Sequence, residues 1–206
     1  EDPESGRSDL WLMEPARGVT TRFTFDPDND FYPIWSPDGE TVAFATMRNG
    51  QTDIYQKQAS GSADAESLST MTGAELPNDW SRDGRHILYV TIGQGTSRDI
   101  WSISLPEKER RAVIAGEFPE VQPKLSPNGR WIAYASNESG RWEVYVQAFP
   151  GPGGKWQVSN QGGTEPYWRG DGQELYYLAP DRQLMAVEVR TEANFDVGVP
   201  VSLFTA

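Results

Sequence analysis

Apolar residues fall in short, evenly spaced runs along this chain. Thr41-Val-Ala-Phe-Ala-Thr46, His86-Ile-Leu-Tyr-Val-Thr91, Trp131-Ile-Ala-Tyr-Ala-Ser136 and Glu174-Leu-Tyr-Tyr-Leu-Ala179 are each almost continuously apolar. That pattern predicts strands covered on both faces rather than strands with one wet side. A turn phrase precedes each run: Trp35-Ser-Pro-Asp-Gly39, Trp80-Ser-Arg-Asp-Gly84, Leu125-Ser-Pro-Asn-Gly129 and Trp168-Arg-Gly-Asp-Gly172, beginning 45, 45 and 43 residues apart. Asp38, Asp83, Asn128 and Asp171 can bond nearby backbone, and Gly39, Gly84, Gly129 and Gly172 accept positive φ, so each phrase reads as a tight turn between strands. A second marker runs out of phase: Asp9-Leu-Trp11, Asp53-Ile-Tyr55, Asp99-Ile-Trp101, Glu143-Val-Tyr145 and, more weakly, Gln183-Leu-Met185.

Several short strands within a period of roughly 40–45 residues predict the blades of a β-propeller. The expected fold class is all-β, with four-stranded antiparallel blades. Strand a, innermost, carries Trp35, Trp80, Leu125 or Trp168. Strand b is the apolar run, and strand c starts at the second marker. Strand d is a short segment such as Ser67–Thr70, Ala112–Ala115 or Trp156–Ser159. The recurring aromatics of strands a and c are expected to interlock neighbouring blades. Residues 1–8 read as a disordered tail and 9–206 as a single partial propeller. A c–d pair near Asp9–Met13 and Arg22–Phe25 opens the chain, and four full units follow. That makes about four and a half blades in an incomplete ring, whose open faces invite association.

Composition narrows the function classes. A 12% aromatic content with eight Trp argues for a packed core, and 20 Gly and 15 Pro spread along the chain fit many turns. The net charge of −12 disfavours nucleic acid and anionic lipid as partners. The basic run Lys108-Glu109-Arg110-Arg111 reads as a solvated turn. Cysteine is absent, which excludes disulfide and thiolate chemistry. No apolar run approaches the roughly 18 residues of a membrane span. No signal peptide is visible, and the opening EDPESGRSD fits a processed or excised chain.

The phrase Pro33 to Phe44 followed by Asp53-Ile-Tyr55, with its looser later copies, resembles the TolB-like propeller repeats of bacteria. The resemblance runs from about Asp9 to Phe204. The tail Gly172–Tyr177, Leu184–Val189 and Phe195–Phe204 is similar to a late blade in the C-terminal, sensor-like propellers of bacterial serine/threonine kinases and related proteins. The resemblance implies a binding platform and a periplasmic or extracytoplasmic setting. It also implies a further blade beyond Phe204. It carries no kinase activity over, because no kinase motif is present.

Catalytic signatures are sparse. His86, the one histidine, sits at a variable strand position and reads as a partly exposed strand residue rather than a base. There is no Gly-x-Ser-x-Gly elbow. Gly151-Pro-Gly-Gly-Lys155 lacks phosphate-loop spacing and reads as a hairpin loop. Arg169-Gly-Asp171 lies inside a repeated turn. Asn137-Glu-Ser139 fits a glycosylation acceptor in a b–c turn.

An acid stands near the start of each strand a: Asp30, Glu75, Glu120 and Glu165. If these gather at the channel mouth, they form an acidic rim able to hold Ca²⁺ or a basic peptide. Otherwise they are exposed loop acids in an acidic chain. The sequence thus leads to a non-catalytic module recognising a protein, peptide or small ligand at the channel mouth. One alternative is a carboxylate- or cation-dependent hydrolase or lyase. The other is a self-associating fragment that forms a homo-oligomer.

Overall fold

The computed structural model describes residues 6–205 apart from 70–72, 94–97, 152 and 192–193. The first five residues of the expected tail, the end of the expected strand d at Thr70, and Pro152 of the glycine-rich loop lie outside the described residues. Apart from one 3-10 turn at Arg48–Gly50, the described elements are β-strands. The chain divides into two compact units, Glu1–Pro77 and Asn78–Ala206.

The first unit opens with a hairpin of β1 (Trp11–Glu14) and β2 (Val19–Arg22). It continues into a sheet ordered β3 (Asp30–Trp35), β4 (Thr41–Thr46), β5 (Asp53–Gln58) and β6 (Glu66–Ser67). The hairpin strands lie a few residues from where the sequence puts them. Leu10 and Phe23 are instead buried against Val42 and Phe44, and the Phe23 N–H donates to the Leu10 carbonyl at 2.8 Å.

The division between units falls within β7 (Ala74–Trp80), which pairs onward with β8 (His86–Ile92), β9 (Arg98–Ser104) and β10 (Glu109–Ile114). The run Glu109-Arg110-Arg111, read as a turn, is thus part of an edge strand. The next sheet is ordered β11 (Glu120–Leu125), β12 (Trp131–Ser136), β13 (Glu143–Ala148) and β14 (Lys155–Gln157). The last is β15 (Thr164–Trp168), β16 (Glu174–Leu178) and β17 (Gln183–Arg190), with the fourth position shared by two short strands. β18 (Asp196–Val197) pairs with the end of β17, and β19 (Val201–Thr205) with its first half. The sequence pattern anticipates β19 but not β18.

The apolar runs become buried b strands as expected: Phe44, Leu88, Tyr89, Ile132, Tyr134 and Leu175 are all fully covered. In the second unit, Leu88, Val90 and Ile100 pack with Leu125, Ile132 and Tyr145. Trp131, Val144 and Val146 pack with Trp168, Leu175, Val187 and Phe195. The strand a aromatics do not behave uniformly. Trp168 is 5% exposed and its indole N–H donates to the Lys124 carbonyl at 3.0 Å, locking β15 onto β11. Trp35 is 51% exposed, and Trp80 is only half-buried, its N–H turned back to the Gly84 carbonyl. Interlocking by strand a therefore holds at Leu125 and Trp168 and fails at Trp35.

Candidate functional site

The repeated turns resolve into one hydrogen-bond pattern. Ser36 Oγ donates to Asp38 and accepts the Thr41 N–H, while Asp38 also accepts the Glu40 N–H at 3.0 Å. Ser81 with Asp83, and Ser126 with Asn128, repeat it. In the fourth copy Arg169 replaces serine, donating to Asp171 at 2.8 Å and pairing with Glu174 at 2.7 Å. The Ser36 hydroxyl holds the Asp38 carboxyl below its usual range, and Ser81 does the same for Asp83. Arg169 holds Asp171 down likewise. Gly39, Gly84, Gly129 and Gly172 take φ of 73°, 74°, 68° and 74°, where other residues are strained. These residues build the turns; the Arg-Gly-Asp tripeptide has both charged ends engaged within its own loop.

His86 is half-buried, with its ring edge-on to Phe149 at 5.3 Å. The acids expected at the channel mouth separate into two kinds. Asp30, Glu75 and Glu120 are 1%, 1% and 4% exposed. Each stands five residues before the Trp or Leu that ends its strand, at a joint between strand d of one repeat and strand a of the next. Ser69 donates to Glu75 at 2.7 Å across such a joint. Burial raises the Asp30 carboxyl, opposed by the hydroxyls of Thr46 and Thr24 and by Arg48.

The matching position in the fourth repeat is not Glu165 but Gly163. There a Cβ would stand 2.8 Å from Ser159 Oγ. Glu143, fully buried, fills the joint from strand c and accepts bonds from Ser159, Arg141 and the Gly162 N–H. Glu165 is exposed and lies two positions further on. The solvent-facing carboxylate among the four is therefore Glu165, and the other three are buried joint residues. Among the described residues, no three or more His, Cys, Asp and Glu side chains are grouped so as to hold a metal ion.

A feature the sequence reading missed lies at the Glu165 position. Tyr32, Gln122 and Glu165 all adopt left-handed φ, of 51°, 56° and 54°. Each sits in a β-bulge, between Phe31 and Ile34, Val121 and Lys124, or Thr164 and Tyr167. Each immediately precedes a proline: Pro33, Pro123 or Pro166. A non-glycine residue in this region costs about 1–2 kcal/mol, and such strain concentrates where a side chain must be aimed. The sequence signal was present: a proline two residues before Trp35, Leu125 and Trp168. In the second unit Gln122 Oε1 accepts the Glu165 N–H at 2.9 Å, so the two bulges are joined. Tyr167 beside them is 63% exposed. Gln122, Glu165 and Tyr167 thus present an amide, a carboxylate and a phenol on adjacent innermost strands. In the first unit Tyr32, 57% exposed, holds the corresponding bulge.

Comparison with known proteins settles the class. The family model described as the TolB beta propeller domain matches residues 3–151. The chain belongs to the TolB β-propeller family. Its fold is an incomplete propeller of four-stranded antiparallel blades, and crystalline TolB from Acinetobacter baumannii superposes with a TM-score of 0.72 at 16% identity, over 95% of this chain and 49% of that one. Among curated relatives, an uncharacterised Agrobacterium fabrum protein, Atu1656, is 25% identical over 85% of this chain and 63% of its own length. An uncharacterised peptidase of Bacillus subtilis, YuxL, is 22% identical over 66% of this chain and 26% of its own length. The chain thus spans less than two thirds of these curated relatives.

Proposed function

We propose that this propeller is a non-catalytic recognition module that binds an extended, basic protein segment across the joined bulges of β11 and β15. The observation that carries the reading is the recurrence of a strained, left-handed side chain at one position in three repeats, ending in the joined pair Gln122 and Glu165 beside exposed Tyr167. The strained bulges aim side chains outward that a regular strand would place elsewhere. An exposed carboxylate, an amide and an aromatic suit a lysine- or arginine-bearing peptide, and the chain's acidity favours its approach. TolB-type propellers serve as protein-interaction platforms in the periplasm, and that setting fits the same role here, within a longer protein of the kind its relatives represent. Titrating isotope-labelled protein with a lysine- and arginine-rich decapeptide tests this by NMR. Shifts should gather on Gln122, Glu165 and Tyr167; shifts confined to other faces, or none at millimolar peptide, would refute it.

A second reading, self-association, is favoured by β19. All five of its residues are exposed, including Val201 at 60%, Leu203 at 50% and Phe204 at 59%. An exposed edge carrying apolar side chains can pair with another chain. Light scattering across a concentration series checks it: a rising molar mass supports pairing, and a constant monomer mass rejects it.

A further inference from the structure

The joint at Glu120 differs from the others. Where strand d meets the next strand a, the first two full joints supply a hydroxyl: Thr24 beside Asp30, and Ser69 donating to Glu75. The fourth supplies Ser159 to Glu143. By strand register the same position in β10 is Ile114, opposite Ile100. Glu120 therefore loses that donor. Ser136, across from it in β12, lies under the Glu138 N–H at 3.4 Å. Glu120 is 4% exposed, and among the described residues neither its Oε2 nor the hydroxyl of fully buried Tyr134 has a hydrogen-bond partner.

The surrounding charges do not neutralise a carboxylate. Asp99 on β9 and Glu138 in the turn after β12 both oppose its ionisation, and Lys155 on β14 favours it. Lys155 is already paired with Glu138 and lies over the Tyr145 ring at 4.6 Å. From the loop before β11, Gly116 would bring a Cβ within 3.6 Å of Glu120 Oε1, so the chain closes over the group.

We propose that the joint between β10 and β11 is a proton-operated latch, in which the neutral Glu120 carboxyl seats the start of β11 and its ionisation loosens that seat. Burial, reinforced by Asp99, pushes the carboxyl up to about 7, so the switch falls at physiological pH. Gln122 lies two residues along β11. If the recognition reading above is right, the latch also tunes that surface, but the latch itself does not depend on it.

The sign follows from linkage. The folded protein holds a proton on Glu120 that the unfolded chain releases near 4.5. This group's stabilisation is complete below that value, falls as pH rises, and is gone above about 7. Over that interval it lowers the folding constant about tenfold per pH step. The test is urea unfolding at pH 5 and pH 8 for wild type, Glu120→Gln and Ile114→Thr, with carbon-13 NMR titration of the wild-type carboxyls. The resonance absent from Glu120→Gln should titrate near neutrality. Glu120→Gln, a permanently neutral side chain, should be more stable than wild type at pH 8 and less pH-dependent. Ile114→Thr restores a hydroxyl and should move the Glu120 midpoint down. A Glu120 resonance titrating in the ordinary carboxylate range overturns the proposal, as does a Glu120→Gln variant less stable than wild type at pH 8. Should Ile114→Thr fail to fold, the titration and Glu120→Gln decide alone.

Discussion

Trp35 and Trp168 occupy the same place in the repeated phrase, yet one is half exposed and the other sealed between sheets. Trp168→Ala removes the indole from a cluster with Trp131, Leu175 and Phe195 and should cost about 3–5 kcal/mol. Trp35→Ala should cost about 0.5 kcal/mol or less. Urea unfolding of the two variants separates them, and equal losses would contradict the burial described. Ser159→Ala strips a donor from fully buried Glu143 and should cost about 1–3 kcal/mol by the same measurement. The turn residues were legible because Asp-Gly and Asn-Gly have a local reason to be where they are. The acids were not. Choosing the fourth by residue type selected Glu165, whereas register selects Gly163, because the loop from Ser159 is shorter than the loop from Ser69 to Glu75. Burial of the other three depends on strand d of the preceding repeat, which no local pattern reports.

At the level of elements, strands b and c were readable from hydrophobic runs and from the aspartate-led marker, since both faces of those strands are covered. The bulges were not, because a periodicity argument assumes an unbroken two-residue alternation and a bulge interrupts it. They leave a thermodynamic signature. Replacing Tyr32 or Glu165 by glycine removes a left-handed penalty, so either variant should hold its stability or gain up to about 1 kcal/mol in spite of the lost side chain. A loss above about 1 kcal/mol in thermal unfolding would show that the bulge residues are held for packing rather than for display. β18 escaped notice because two residues are too few to carry a pattern; its place beside Val189 and Arg190 comes from pairing alone.

For the whole molecule, two sets of carboxyls act in opposite directions with pH. Asp38, Asp83 and Asp171 are held down by Ser36, Ser81 and Arg169, so their stabilisation is present above the usual carboxylate range and fades as pH falls. Asp30, Asp79 and Glu120 are raised by burial, so theirs is present in acid and fades as pH rises. Thermal unfolding followed from pH 3 to pH 9 should therefore give a maximum in mildly acidic solution; a midpoint rising steadily to pH 9 would contradict that balance. The period of the repeat made the propeller architecture legible from sequence, because each blade needs a neighbour to bury its faces. The proposed recognition rests on Gln122, Glu165 and Tyr167, which hydrophobic periodicity alone does not single out. The most direct test is calorimetric titration of a lysine- and arginine-rich decapeptide into wild type and into the Gln122→Ala/Glu165→Gln/Tyr167→Ala variant. The variant should bind about tenfold or more weakly, a loss of about 1.4 kcal/mol, while melting at the wild-type temperature. Equal affinity in a folded variant would contradict recognition through the bulges.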